Sequence, residues 1–242
     1  MKHAAGFRRF LTLDDLSRAD LELLLASARA LKRAPAGRPL TGKHVAVLGE
    51  ATLGASAAAL TAAATALGAK VTHVRTGETL TEGADLQAMA RMLGRLYDAV
   101  ACEVNEPQTL TVLERDSGVP VFGGVAQAAH PLRLLADLMA MQDAVGSADA
   151  PLLCLPGQSS PTRAAWKQLA TLAALRLCTR PDPPPHDDAV HAKGFFFFTA
   201  GTHCDDGGLA LRTGKADGQT LAAQQMSNHR LLVQSLLLQA IG

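Results

Sequence analysis

The feature that most constrains the fold is the run Val45-Ala46-Val47-Leu48, ended by Gly49 and followed by an alanine-rich stretch that stops only at Gly68. Consecutive apolar residues closed by a glycine fit a strand buried on both faces, and the helix formers after them fit a helix. A strand passing straight into a helix opens a parallel unit, and the order then repeats. Val71 to Val74 reads as the next strand, Ala84 to Leu96 as the next helix, Ala99 to Val104 as a third strand, Pro107 to Asp116 as a third helix and Val119 to Phe122 as a fourth strand. Such alternation predicts an α/β fold, a parallel sheet with helices on both faces. Ahead of it, Ser17-Arg18-Ala19-Asp20 has the form of a capping box before Leu21, Leu24, Leu25, Ala28 and Leu31, which recur at helical spacing.

A second lobe is expected, because 242 residues are long for one core. The apolar-striped segment from His130-Pro131 to about Val145 is long enough to bridge two lobes. Leu152 to Leu155 then reads as a strand, Pro156 to Ser160 as a turn, Pro161 to about Leu175 as a helix, Phe195 to Phe198 as a buried strand and Leu221 to Ile241 as a closing helix. Three consecutive prolines in Arg180 to Asp188 forbid a helix or central strand, so that stretch is expected to be an exposed loop. The expected organisation is a first lobe over 1–130, an inter-lobe helix over 131–146 and a shortened second lobe, also a parallel sheet flanked by helices, over 147–242 that includes the closing helix.

With 48% hydrophobic and 19% charged residues, the chain is not compositionally disordered. Its net charge of +1 is spread along the length, which predicts no nucleic-acid partner and no polybasic membrane anchor. Small molecules and protein partners remain. Cys102, Cys154, Cys178 and Cys204 are widely spaced, no export signal or transmembrane run is visible, and a reducing cytoplasm is the expected location. No cofactor is expected. His186, His191, His203, Cys204, Asp205 and Asp206 match no tight metal-binding spacing, so no metal is expected either.

Chemistry is expected at the carboxyl ends of the strands, where helix N-termini present unpaired N–H groups to anions. The turn Gly49 to Ser56 has that position. Thr52 and Ser56 offer hydroxyls and Gly54 permits close approach, yet the turn has no Lys or Arg, no P-loop ending and no three-glycine dinucleotide pattern. An ordinary βα connection is the competing reading.

Several strings resemble the aspartate/ornithine carbamoyltransferase family, its ornithine branch in particular. They are Phe10 to Ser17, Ala90 to Arg95 with Asp98-Ala99-Val100, Ser117 to Val121, and His130-Pro131-Leu132-Arg133-Leu134-Leu135-Ala136-Asp137-Leu138, which is similar to the family's His-Pro-x-Gln string and following Leu-Ala-Asp helix. Asn228 to Gln234 is similar to its Asn-Arg-x-His-x-Gln helix, and His203-Cys204 to the first half of its His-Cys-Leu-Pro loop. The resemblance implies a two-lobed α/β transferase assembled as a homotrimer, with His130 and Cys204 as catalytic candidates. It places Arg230 at an anion, where it joins Thr52, Gly54 and Ser56 of the turn as an anion-binding candidate, and Arg133 and His203 are candidates near the substrate.

The departures bear on function. Where the family has Ser-Thr-Arg-Thr-Arg to grip phosphate, this chain has Leu53-Gly54-Ala55-Ser56-Ala57, so alanines replace both arginines. Glu103 stands where the third strand ordinarily delivers another arginine, and is expected to repel a dianion. Arg133 replaces the glutamine, Asp205-Asp206 replace Leu-Pro, and the Asp-x-x-x-Ser-Met-Gly loop has no counterpart. These departures predict a diverged member without ordinary carbamoyl-phosphate chemistry, acting as a binding or assembly subunit on a small anion, an amino acid, its own copies or an active paralogue. The alternative is an active enzyme transferring a carbamoyl or related group to an amino-acid amine.

Overall fold

The computed structural model describes residues 13–34, 37–49, 54–76, 84–103, 106–145, 152–154, 161–173, 175–178, 195–200, 209–213 and 221–242. The chain divides into two compact units, Met1–Leu132 with Arg230–Gly242, and Arg133–His229.

In the first unit, helix α1 (Arg18–Arg33) starts at the capping box: the Asp20 N–H donates to Ser17 Oγ at 3.2 Å and the Ser17 N–H donates to Asp20 Oδ2 at 3.0 Å. Its leucines at helical spacing are buried, as their periodicity predicts. After it come β1 (His44–Gly49), α2 (Ala55–Ala66), β2 (Lys70–Arg75), α3 (Ala84–Leu96), β3 (Ala99–Cys102), α4 (Pro107–Ser117) and β4 (Val121–Gly123). The four strands pair in parallel in the order β2-β1-β3-β4.

One face of this sheet is set by alternation along the strands. Ala46 and Leu48 of β1, Val100 and Cys102 of β3 and Val121 of β4 pack with Leu86, Ala90 and Leu93 of α3 and Leu110 and Leu113 of α4. Gly94 lets α3 meet α4 at backbone distance, because a Cβ there would fall on the Ser117 carbonyl. Val45 and Val47 alternate onto the opposite face, where α2 lies against β1, β2 and β3. The helix leaving β1 and the helix leaving β3 therefore cover opposite faces, although those strands are neighbours. This is the switch point at which open α/β sheets form their crevice.

The second unit begins within α5 (Pro131–Val145) and contains β5 (Leu152–Cys154), α6 (Pro161–Ala173), β6 (Arg176–Cys178), β7 (Phe195–Ala200) and β8 (Leu209–Thr213). Its sheet has the order β6-β5-β7-β8 around buried Leu153 and Phe196, with Trp166 and Leu169 buried on α6. The strands β6, β5 and β7 are parallel, but β8 runs antiparallel to β7, an edge that the sequence does not mark. The proline-rich loop lies outside the described residues.

The closing helix α7 (Ala222–Ile241) is divided between the two units, since Arg230–Gly242 group with the first. The apolar stripe runs to the helix end, burying Leu232, Val233, Leu236 and Leu237, and the Ser235 hydroxyl donates to the Leu24 carbonyl of α1 at 3.2 Å. Among the described residues no helix is long and apolar enough to cross a membrane.

Candidate functional site

The β1–β3 register pairs Leu48 with Cys102, so Glu103 emerges beside the end of β1. On the other side of that crevice α2 begins. Its N-cap, Gly54, is extended and has no side chain to satisfy the first-turn N–H groups, which need partners. Glu103 satisfies two of them: the Ser56 N–H donates to Oε1 at 3.2 Å and the Ala57 N–H to Oε2 at 3.0 Å. A carboxylate at the positive end of a helix dipole is favoured, by about 0.3–1 kcal/mol in exposed cases. Gly54 makes room for it, since a Cβ there would lie 2.6 Å from Oε2 and 2.8 Å from Oε1. The turn expected to stand open to an anion therefore holds one, supplied by the chain. Glu103, expected only to repel a ligand, takes a ligand's hydrogen bonds, because the parallel register carries it onto the helix start.

Ser56 is fully buried, and its Oγ accepts from the Ala126 N–H at 3.1 Å. Ala126 lies in the turn after β4, where the Gly124 N–H also donates to the Cys102 carbonyl at 3.3 Å. The hydroxyl expected to serve a ligand thus anchors a loop beside the ends of β3 and α2. His130 is buried just before α5, its Nδ1 accepting from the Leu132 N–H at 3.2 Å, which leaves the ring proton on Nε2.

The remaining predicted site residues are taken one by one. Arg133 is half-buried on α5 and Arg230 is exposed on α7, while Thr52, His203 and Cys204 lie outside the described residues. The structure brings Gly54 and Ser56 together with Glu103. Among the described residues no three His, Cys, Asp or Glu side chains are grouped to hold a metal, and the six residues weighed for one include none that is described.

A second polar cluster belongs to the other unit. Gln225 Nε2 donates to Asp137 Oδ1 at 2.7 Å, and Asn228 Nδ2 donates to the Ala136 carbonyl at 3.4 Å. Burial pushes the Asp137 carboxyl up to about 7, although the Gln225 hydrogen bond and the Arg133 charge act in the opposite direction. Asp137 is not among the site residues expected above; its signal in the sequence is a carboxylate inside an otherwise apolar helix stripe.

A family model described as "Aspartate/ornithine carbamoyltransferase, carbamoyl-P binding domain" matches residues 8–143. An ornithine carbamoyltransferase of Ignicoccus hospitalis is 31% identical over 199 residues, covering 78% of this chain and 64% of that protein. The catabolic ornithine carbamoyltransferase 1 of Streptococcus agalactiae is 36% identical over 141 residues, 56% of this chain and 42% of that protein. The matched stretch thus spans less than two thirds of either relative. Among solved structures, the anabolic ornithine carbamoyltransferase of Campylobacter jejuni aligns with a TM-score of 0.57 at 28% identity over 71% of this chain and 55% of that one. The ornithine carbamoyltransferase of Thermus thermophilus aligns with a TM-score of 0.72 at 20% identity over 97% and 99%, a likeness of fold.

Proposed function

The chain belongs to the aspartate/ornithine carbamoyltransferase family, and from that premise we propose that it is a diverged member that does not run ordinary carbamoyl-phosphate chemistry and serves as a binding or assembly subunit. The observation that carries this reading is the Glu103 carboxylate seated on the Ser56 and Ala57 N–H groups. An incoming phosphate would have to displace it and would then meet alanines at 55 and 57 where the resemblance implies arginines. Each charge-assisted hydrogen bond so lost is worth about 1.5–3 kcal/mol. Carbamoyl transfer needs the same donors to hold the donor molecule and to stabilise the developing charge, so affinity and rate would fall together. On this reading the chain works in the cytoplasm, in a homotrimer or beside an active paralogue, with a first lobe, a bridging helix and a shortened second lobe as its parts.

A second reading is an active transferase, favoured by the 31% and 36% identity to proteins named ornithine carbamoyltransferase. There His130 and Cys204 would act at the reacting groups, Arg230 at an anion, and Arg133 and His203 at an amino acid. Thermal-shift measurements with carbamoyl phosphate, ornithine and aspartate, with Arg230→Ala as control, separate the two. A ligand at a hundred times its Kd stabilises by about 2.7 kcal/mol, which is several degrees in Tm. The binding-subunit reading expects no such shift with carbamoyl phosphate and no carbamoylated amino acid by mass spectrometry. An Arg230-dependent shift together with product would establish the transferase.

A further inference from the structure

We propose that the Asp137–Gln225 pair and the neighbouring Asn228 form a proton-operated clamp between α5 and α7, closed while Asp137 carries a proton and released when it ionises. The clamp goes beyond both functional readings and depends on neither. The chain passes between its two units twice, once in α5 at Leu132–Arg133 and once in α7 at His229–Arg230. Within the second unit, about one turn from each crossing, side chains tie the two helices together. Gln225 Nε2 donates to Asp137 Oδ1 at 2.7 Å, and Asn228 Nδ2 donates to the Ala136 carbonyl at 3.4 Å. All four residues lie on the second unit's side, so the tie grips both helices just where that unit takes hold of them.

The balance of donors and acceptors makes this tie sensitive to a single proton. Asn228 is fully buried, and its Oδ1 has no hydrogen-bond partner among the described residues, so the cluster is short of a donor. Protonated Asp137 brings a donor and no charge. Ionised, it loses that donor and leaves a buried charge facing an amide. Among the described residues, α7 presents the uncharged Gln225 and Asn228 to it, with His229 the next titratable group on that helix, and the cation that bears on it is the half-buried Arg133, one turn back on α5. Burial outweighs Arg133 and Gln225 and pushes the carboxyl up to about 7. Released to water, the same carboxyl has its ordinary value of 3.8, so opening sets a proton free between those two values. Opening of the start of α7 therefore becomes about tenfold easier per pH unit across that window and levels off above it.

Hydrogen exchange of the full chain, followed by mass spectrometry from about pH 5 to 8 and corrected for the intrinsic rate at each pH, tests the clamp. Peptides from Leu221 to His229 are expected to lose protection at least about tenfold between pH 5 and 7 and to change little above, while peptides of α1 and α6 stay level. Asp137→Asn keeps an acceptor for Gln225 and carries a donor at every pH, so it is expected to flatten the profile. Arg133→Gln removes a cation that favours the ionised form, so its profile should level off at a higher pH, and His229→Gln should follow wild type. A flat wild-type profile overturns the inference by itself, whether or not any variant folds. A response that survives Asp137→Asn, or that vanishes in His229→Gln, overturns it as well. So does a loss of protection in α1 and α6 in step with α7, which is global unfolding and not a clamp.

Discussion

Two carboxylates, Glu103 and Asp137, show how the same group is put to opposite uses. Glu103 is half-buried and meets two backbone N–H groups at the positive end of a helix. Asp137 is buried among apolar side chains and meets one amide, Gln225 Nε2. Acceptor oxygens are what make Glu103 useful, with its charge adding to them, since the start of α2 has no capping side chain of its own. For Asp137 charge is a liability, because desolvation outweighs the help of Gln225 and Arg133. What a carboxylate does here is decided by its donors, whether it lies beside a crevice or inside a helix stripe.

The largest test of that contrast is pH. Folded Asp137 holds its proton to about pH 7, whereas its ordinary value is 3.8. Between those values the folded chain binds more protons than the unfolded one, so the Asp137 contribution to stability declines as pH rises through the window, by a few kcal/mol in total. Urea unfolding from pH 4 to 8 should show Asp137→Asn gaining on wild type as pH rises; parallel profiles would break the comparison. Next in size is Glu103→Ala, which leaves the Ser56 and Ala57 N–H groups without their carboxylate and is expected to cost about 1–3 kcal/mol in chemical denaturation. Ser56→Ala removes the acceptor of the Ala126 N–H and should cost about 1 kcal/mol, seen also as faster amide exchange at Ala126. The smallest effect is expected from Glu103→Gln, about 0.5–1 kcal/mol, since one acceptor oxygen remains while the charge is lost. A Gln variant as damaged as the Ala variant would mean that charge, and not hydrogen bonding, governs the helix start.

The first sheet was legible because its strands are short apolar runs separated by strong punctuation, and the Ser17–Asp20 cap because its partners are three residues apart. The antiparallel β8 was not, since five residues of mixed character carry no direction; nor was β6, a three-residue strand. At the site, the position of the turn and its lack of a cation were readable from the residues, and the replacement of arginines by alanines only from the family resemblance. The seat of Glu103 was not, because its partners are 46 and 47 residues away and meet it only through the β1–β3 register. A usable signal was present all the same: a carboxylate one residue past a buried strand, opposite a helix that opens on glycine.

The glycine at the start of α2 also orders events in time. A helix whose cap is local can complete its first turn before anything else forms. Here the capping group arrives only after β3 has paired beside β1, so the first turn of α2 closes with a nonlocal strand pairing and not with the rest of its own helix. In pulse-labelling during refolding, the amides of Ser56 and Ala57 should gain protection together with β3, later than those in the middle of α2. The empty N-cap thereby ties the closing of the candidate site to the pairing of β3 beside β1.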